Sequence, residues 1–266
     1  MSTTLPQFHK PTFDEARINL LVWGPSGCGK TTLAATAPGL KAFVQFDNQG
    51  TTSIANREDF ALLDLSGASF RQTMMEFNKI DPFGMRAFLQ ANPQVETVVI
   101  DSITTLSFQA LQYAVTIAGG KSNIEVPGMN GYGTRNNVMR RAVQVIMQIC
   151  SEQKKHLVVI THEAAPDKDE QGNTVEITMS LSSSLANDVS LRFNEVWHMQ
   201  DTGKERLIYV RPHGVYKPCK SRMFADSQDA RFTWRYNADM LEGSGIVDWF
   251  TQWKETGGKK IPLPKK

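Results

Sequence analysis

Residues 24–32 read Gly-Pro-Ser-Gly-Cys-Gly-Lys-Thr-Thr, and the spacing of Gly24, Gly29, Lys30 and Thr31 fills every fixed position of a phosphate-binding loop. Glycines at 24, 27 and 29 let the backbone turn tightly, so that consecutive N–H groups point at one anion, and a helix starting near Lys30 adds its positive end. Pro25, Ser26, Cys28 and Thr32 complete the loop. The Lys30 ammonium has the reach for outer phosphate oxygens, and the Thr31 hydroxyl is an oxygen ligand of the kind magnesium takes. A second acid, Asp101, ends the apolar run 96–101 and can hold the same magnesium ion through water. Asp47 ends the run 41–47 and can take a proton from an attacking water, or simply start the turn that follows it. His162, directly after the run 156–161, can contact the outer phosphate and report its loss, or act only as a hydrogen-bonded strand end.

The elements that must position these residues are short. Runs 18–23, 41–47, 60–65, 96–101 and 156–161 are apolar, rich in β-branched residues and separated by helical patterns, which predicts a mostly parallel α/β sheet flanked by helices. Apolar residues at 138, 142, 145, 146 and 149 have helical spacing and predict a crossover helix. Near the C-terminus the runs around 195–200, 205–211 and 213–217 are shorter and broken by turn residues, which predicts antiparallel edge strands. Lys220 and Arg222 stand two apart in what reads as a further edge strand over 216–224, so both charges emerge on one face.

Two polar segments interrupt the pattern. Residues 119–135 hold five glycines and read as an irregular loop, either solvated or functional. Residues 162–174 read as a hairpin or loop at the carboxyl end of a strand, where open α/β sheets bind ligands.

With 266 residues and 41% hydrophobic content, the chain predicts one large domain over 16–253, an N-terminal extension over 1–15 and a mobile basic tail over 254–266. A net charge of +2 does not by itself compel binding to nucleic acid, so such binding needs local patches. Cys28, Cys150 and Cys219 are widely spaced and odd in number, which fits a reducing cytoplasm. No apolar stretch approaches the ~18 residues of a membrane span, so a soluble protein with no membrane partner is expected.

The order of these segments resembles the RecA-like P-loop NTPase core. More narrowly, residues 16–39 with the runs ending at Asp101 and His162 are similar to phage nucleotide-binding proteins of the Sak-four type, ATPases of single-strand annealing systems. The resemblance implies ATP and Mg2+ as cofactors and single-stranded DNA as partner, in phage recombination or replication within the host cytoplasm. It also implies a homo-oligomeric ring or filament with nucleotide at protomer interfaces, and a phage single-strand binding protein as a further partner. Recombinases of this class usually carry Glu where this chain has Asp47, a departure that shortens the reach and implies slow or absent hydrolysis. Residues 119–135 and 163–187 correspond to the two DNA-contacting loops, with Lys121 and Arg135 on phosphates and Tyr132 stacking a base. Lys220 and Arg222 correspond to the basic pair that reaches the neighbouring protomer's nucleotide. Arg140 and Arg141 extend the basic surface or form a solvated helix face. A nucleotide-gated scaffold with little turnover and a small-molecule kinase are the alternatives, although residues 162–187 contain no Arg and one Lys, too little charge for a kinase lid.

Overall fold

Apolar runs too short for helices pair into one eight-stranded sheet in the order β10-β9-β8-β1-β5-β4-β2-β3. The computed structural model describes residues 13–117, 128–226, 231–237 and 242–264. In chain order the first half comprises β1 Asn19–Gly24, α1 Lys30–Ala34, β2 Leu40–Gln45, β3 Phe60–Asp64, α2 Phe70–Phe77, α3 Met85–Ala91 and β4 Val95–Asp101. Then follow α4 Ile103–Ile117, α5 Met129–Glu152, β5 His156–His162, the hairpin β6 Asp167–Lys168 with β7 Thr174–Glu176, and α6 Ser183–Arg192. The chain continues with β8 Glu195–Asp201, β9 Arg206–Tyr209, β10 Arg231–Trp234, the short pair β11 Tyr236–Asn237 and β12 Glu242–Gly243, and α7 Ile246–Glu255. From β8 to β3 every pairing is parallel, and β9 and β10 add antiparallel strands at one edge.

Both faces of the sheet are covered, which is why its strands read as continuous apolar runs. Leu21, Trp23, Val98, Ile100, Leu157 and Val159 pack on one side beneath α2, α4, α5 and α6. Their neighbours Leu20, Val22, Val99, Val158 and Ile160 pack on the other side with α1 and α7. The alternation is the strand period of two, expressed in a sheet buried on both sides. Among the described residues no helix is long and apolar enough to cross a membrane.

β5 lies between β1 and β4, so Asp101 reaches the phosphate loop from the strand beyond its neighbour. Several expectations are corrected. β2 ends at Gln45, leaving Asp47 in the turn after it. β8 is not an edge strand: it runs parallel to β1 and pairs antiparallel only with β9. Residues 216–224 form no strand, only isolated bridges: Tyr216 with Ile177 and His213, Lys220 with Val196, and Phe224 with Ile261. The Glu195 carboxylate accepts the N–H groups of Arg222 and Met223, at 2.7 and 3.1 Å, and Ser221 accepts that of Phe224 at 3.0 Å. Side-chain acceptors thus replace the ladder there.

The glycine-rich stretch is shorter than its composition implies. α5 begins at Met129, so Tyr132 and Arg135 are helical, while Lys121 lies outside the described residues. Each interior glycine costs a helix about 1 kcal/mol. Tertiary contacts offset this: Asn136 accepts from Ser182 at 3.0 Å and donates to Ser184 at 3.2 Å, and Met139 and Ala142 enter the core. Arg140 pairs with Asp188 on α6 at 2.6 Å and Arg141 donates to the Phe77 carbonyl on α2 at 3.2 Å. The basic pair is therefore occupied in packing. The C-terminal segment also docks instead of standing free. Ile261 is 1% exposed and bridges Phe224, and Lys260 pairs with Asp226 at 2.7 Å.

His156 at the start of β5 accepts the Ile18 N–H at 3.0 Å and lies edge-on to Phe250. Burial, with the Arg17 and Lys254 charges nearby, lowers its pKa to about 4. The unfolded chain therefore takes up this proton first, and stability falls as pH drops from about 6.5 to about 4, then levels off. The loss amounts to up to about 3 kcal/mol. Urea unfolding at pH 7 and pH 4.5 should show a smaller difference for His156→Asn, which keeps an acceptor but cannot take the proton. An equal difference in the variant would place the pH sensitivity elsewhere.

Candidate functional site

At the carboxyl edge of the sheet the chain leaves β1 at Gly24, where a Cβ would stand 2.2 Å from the Met199 carbonyl oxygen, so only glycine allows the loop to begin there. Gly29 has φ +99°, a left-handed conformation that suits glycine and turns the chain into α1. Lys30 is folded back over this loop: its ammonium donates to the Gly24 and Pro25 carbonyls at 2.9 and 2.6 Å. It is 5% exposed, and burial lowers its pKa while the charges of Cys28, Asp101 and Asp47 pull it back.

Thr31 donates its hydroxyl to Asp101 Oδ2 at 2.7 Å. Asp101 is 2% exposed, and burial raises its pKa, opposed chiefly by the Thr31 hydrogen bond. Asp47 stands across from it. Ser102 donates to Asp47 Oδ1 at 3.0 Å, Thr105 donates to the same oxygen, and His162 Nε2 lies 3.0 Å from Oδ2. Burial works against the charged carboxylate, yet the contacts from His162, Thr105 and Ser102 outweigh it and hold the Asp47 pKa below its ordinary value. A Cβ on Gly50 would lie 3.5 Å from Asp47 Cβ and 3.6 Å from Asp101 Oδ2, so the glycine leaves the space between the two acids open.

These residues line one cleft of about 470 Å³, which runs from Ser26 and Gly27 across Lys30 and Thr31 to Asp47, Asp101 and His162. The hydroxyl and carboxylate oxygens of Thr31 and Asp101 fit a hard divalent cation, and the loop N–H groups with Lys30 fit a polyphosphate. The fold thus brings together Gly27, Gly29, Lys30, Thr31, Thr32, Asp47, Asp101 and His162 as the sequence predicts.

Other predicted residues lie elsewhere. Lys220 bridges Val196, and the Arg222 N–H binds Glu195, whose register partner Leu20 sits far down β1 from the loop. Neither basic residue lines the cleft. Tyr132 and Arg135 line a separate cleft of about 430 Å³ with Phe108, Asn136, Ser180 and Ser182. The Arg135 guanidinium sits 5.2 Å from the Tyr132 ring centroid. This cleft touches the first through His162, whose carbonyl accepts the Ser180 N–H at 2.7 Å.

Sequence reasoning missed Ser102, Thr105 and Arg206. The first two are readable in principle, since they fall one and four residues after Asp101 at the start of a helix. Arg206 on β9 carries no such signal, and only the sheet brings it over Gly29. Residues 16–223 match the family model described as an AAA domain. No curated protein matches the chain.

Burial of the Asp101 carboxylate works against its charged form. Asp101→Asn keeps an acceptor for Thr31, so thermal unfolding should show an unchanged or higher Tm. Nucleotide hydrolysis followed by phosphate release should fall by roughly 100-fold or more. A Tm several degrees lower would make the carboxylate a structural element first.

Proposed function

The chain belongs to the AAA-domain family of P-loop ATPases, and on that premise we propose that it is a magnesium-dependent ATPase acting on single-stranded DNA in phage recombination or replication. The observation that carries this reading is the position of His162 between two clefts. Its imidazole contacts Asp47 beside the nucleotide site, and its carbonyl binds Ser180 in the cleft that presents Phe108, Tyr132 and Arg135. Phe108 and Tyr132 are 59% and 44% exposed, which leaves ring faces for stacking bases, and Arg135 adds charge for a phosphate. A change at the outer phosphate can therefore alter the DNA cleft through one residue.

Within the nucleotide site the roles divide by chemistry. The loop from Gly24 to Thr32 holds the phosphates, with Lys30 exchanging its carbonyl partners for phosphate oxygens. Thr31 and Asp101 would hold magnesium, which when bound supplies countercharge to the outer phosphates. Asp47 orients the attacking water and accepts its proton at a carboxylate oxygen. Its low pKa makes it a weak base, and its three side-chain donors occupy part of its capacity, which is consistent with slow turnover. That occupancy also favours a second reading, a nucleotide-gated scaffold with little hydrolysis.

Anisotropy titrations of a labelled oligo-dT, with and without MgATP and across a salt series, test the DNA reading. Arg135→Ala should flatten the slope of log affinity against log salt by about 0.7. Tyr132→Ala and Phe108→Ala should each weaken binding by ~1 to 3 kcal/mol. Absence of binding at low salt with MgATP would move the assignment to the scaffold.

The same reading includes assembly into a ring or filament, with Lys220 and Arg222 reaching the nucleotide of the adjacent protomer. Arg222→Ala should then bind ATP normally and hydrolyse it poorly, and mixing it with Lys30→Ala protein should partly restore turnover. Wild-type turnover in Arg222→Ala alone would remove the role in trans.

A further inference from the structure

The nucleotide cleft has a direction. Thr31, Asp101, Asp47 and His162 lie toward β5, β4 and β2 from the loop, so the terminal phosphate belongs on that side. The sugar and base must leave toward the opposite side of β1, where β8, β9 and β10 stand in order. The first charged side chain met there is Arg206, whose Cζ and Nε lie 3.3 Å from where a Cβ on Gly29 would be. Arg206 lines the phosphate cleft and also an adjoining cleft of about 1130 Å³ formed with Asp201, Lys204, Glu205, Trp234 and Tyr236. Both clefts open at the carboxyl ends of the strands, because Asp201 ends β8 and Arg206 begins β9 opposite Trp234.

The guanidinium has an aromatic ring and a carboxylate as neighbours on this side. Its Cζ sits 5.9 Å from the centroid of the Trp234 ring, and Asp201 Oδ2 lies 3.6 Å from its Nε. Trp234 is itself fixed: it is 3% exposed, donates its indole N–H to the Ser244 carbonyl at 2.9 Å, and stacks on Tyr236 with ring centroids 5.7 Å apart. The result is a column of Tyr236, Trp234 and Arg206 that ends at the mouth of the phosphate loop.

We propose that Arg206, backed by Trp234, is the stacking platform for the base of a purine nucleoside triphosphate, and that the β8–β9 turn lines the base subsite. The proposal rests on the reading that residues 24–32 hold the phosphates. A planar cation accepts a π-face, and the larger purine face covers more of it than a pyrimidine does. Lysine at this position would keep the charge and lose the plane.

Calorimetric titration with MgATP, MgCTP and tripolyphosphate separates the contributions. Wild-type protein should bind ATP more tightly than CTP, and both more tightly than tripolyphosphate. Arg206→Lys should keep its tripolyphosphate affinity, lose roughly threefold or more in ATP affinity, and bind ATP and CTP alike. Trp234→Phe, with an unchanged fold by circular dichroism, should narrow the ATP-to-CTP ratio in the same direction. If Arg206→Lys keeps the wild-type ratio, or if ATP and tripolyphosphate affinities fall together, Arg206 touches phosphate and not base, and the proposal is overturned. If Lys30→Ala binds tripolyphosphate as well as wild type does, the underlying phosphate-loop assignment fails instead.

Discussion

The hydrogen bond from Thr31 to Asp101, closed inside a sheet edge where Lys30 is also buried, is the constraint on which the rest of the structure depends. Two opposite charges taken out of water need partners or they shift toward neutrality, and here each is pushed in that direction by burial. Lys30 uses the loop's own carbonyls and Asp101 uses a hydroxyl. The second arrangement requires β1 and β4 at a fixed separation, which the intervening strand β5 supplies through parallel pairing with each.

From that edge, order passes outward through polar contacts between rigid elements. Asp47 is tied to the start of α4 by Ser102 and Thr105 and to the end of β5 by His162. Thr104 accepts the His162 N–H at 2.9 Å and shares a 2.8 Å hydroxyl contact with Thr161. The helix that carries these hydroxyls packs along α5, which holds Tyr132 and Arg135 in its first turns. These contacts connect Asp47 to the elements that line the second cleft.

A second buried polar column supports the phosphate loop from the other side. Glu163 follows His162, donates its N–H to the Gly24 carbonyl at 3.0 Å, and places its carboxylate 2.8 Å from His198 Nε2. His198 is fully buried between Trp23 and Tyr216, in ring stacks at 4.1 and 4.6 Å, and burial lowers its pKa to about 3. A neutral imidazole can hold this geometry across the physiological range, so His198 keeps one charge state there.

What the sequence determined by itself was whatever local spacing encodes. The loop at 24–32 is legible because phosphate binding needs glycines, a lysine and a hydroxyl at fixed offsets along one turn. The buried strands are legible because a sheet covered on both faces demands runs such as Val98-Val99-Ile100. Contacts between distant segments were decided only by the tertiary structure. Asp47 reads equally as a turn residue until β2, α4 and β5 converge on it, and Lys220 with Arg222 reads as a strand until Glu195 takes their segment's N–H groups. The helix through Gly131 and Gly133 runs against local propensity and exists because α4 and α6 pack on it. Arg206 shares no periodicity with the loop it covers; sheet order alone places it there, since spatial neighbours across a sheet are set by strand pairing and not by distance along the chain.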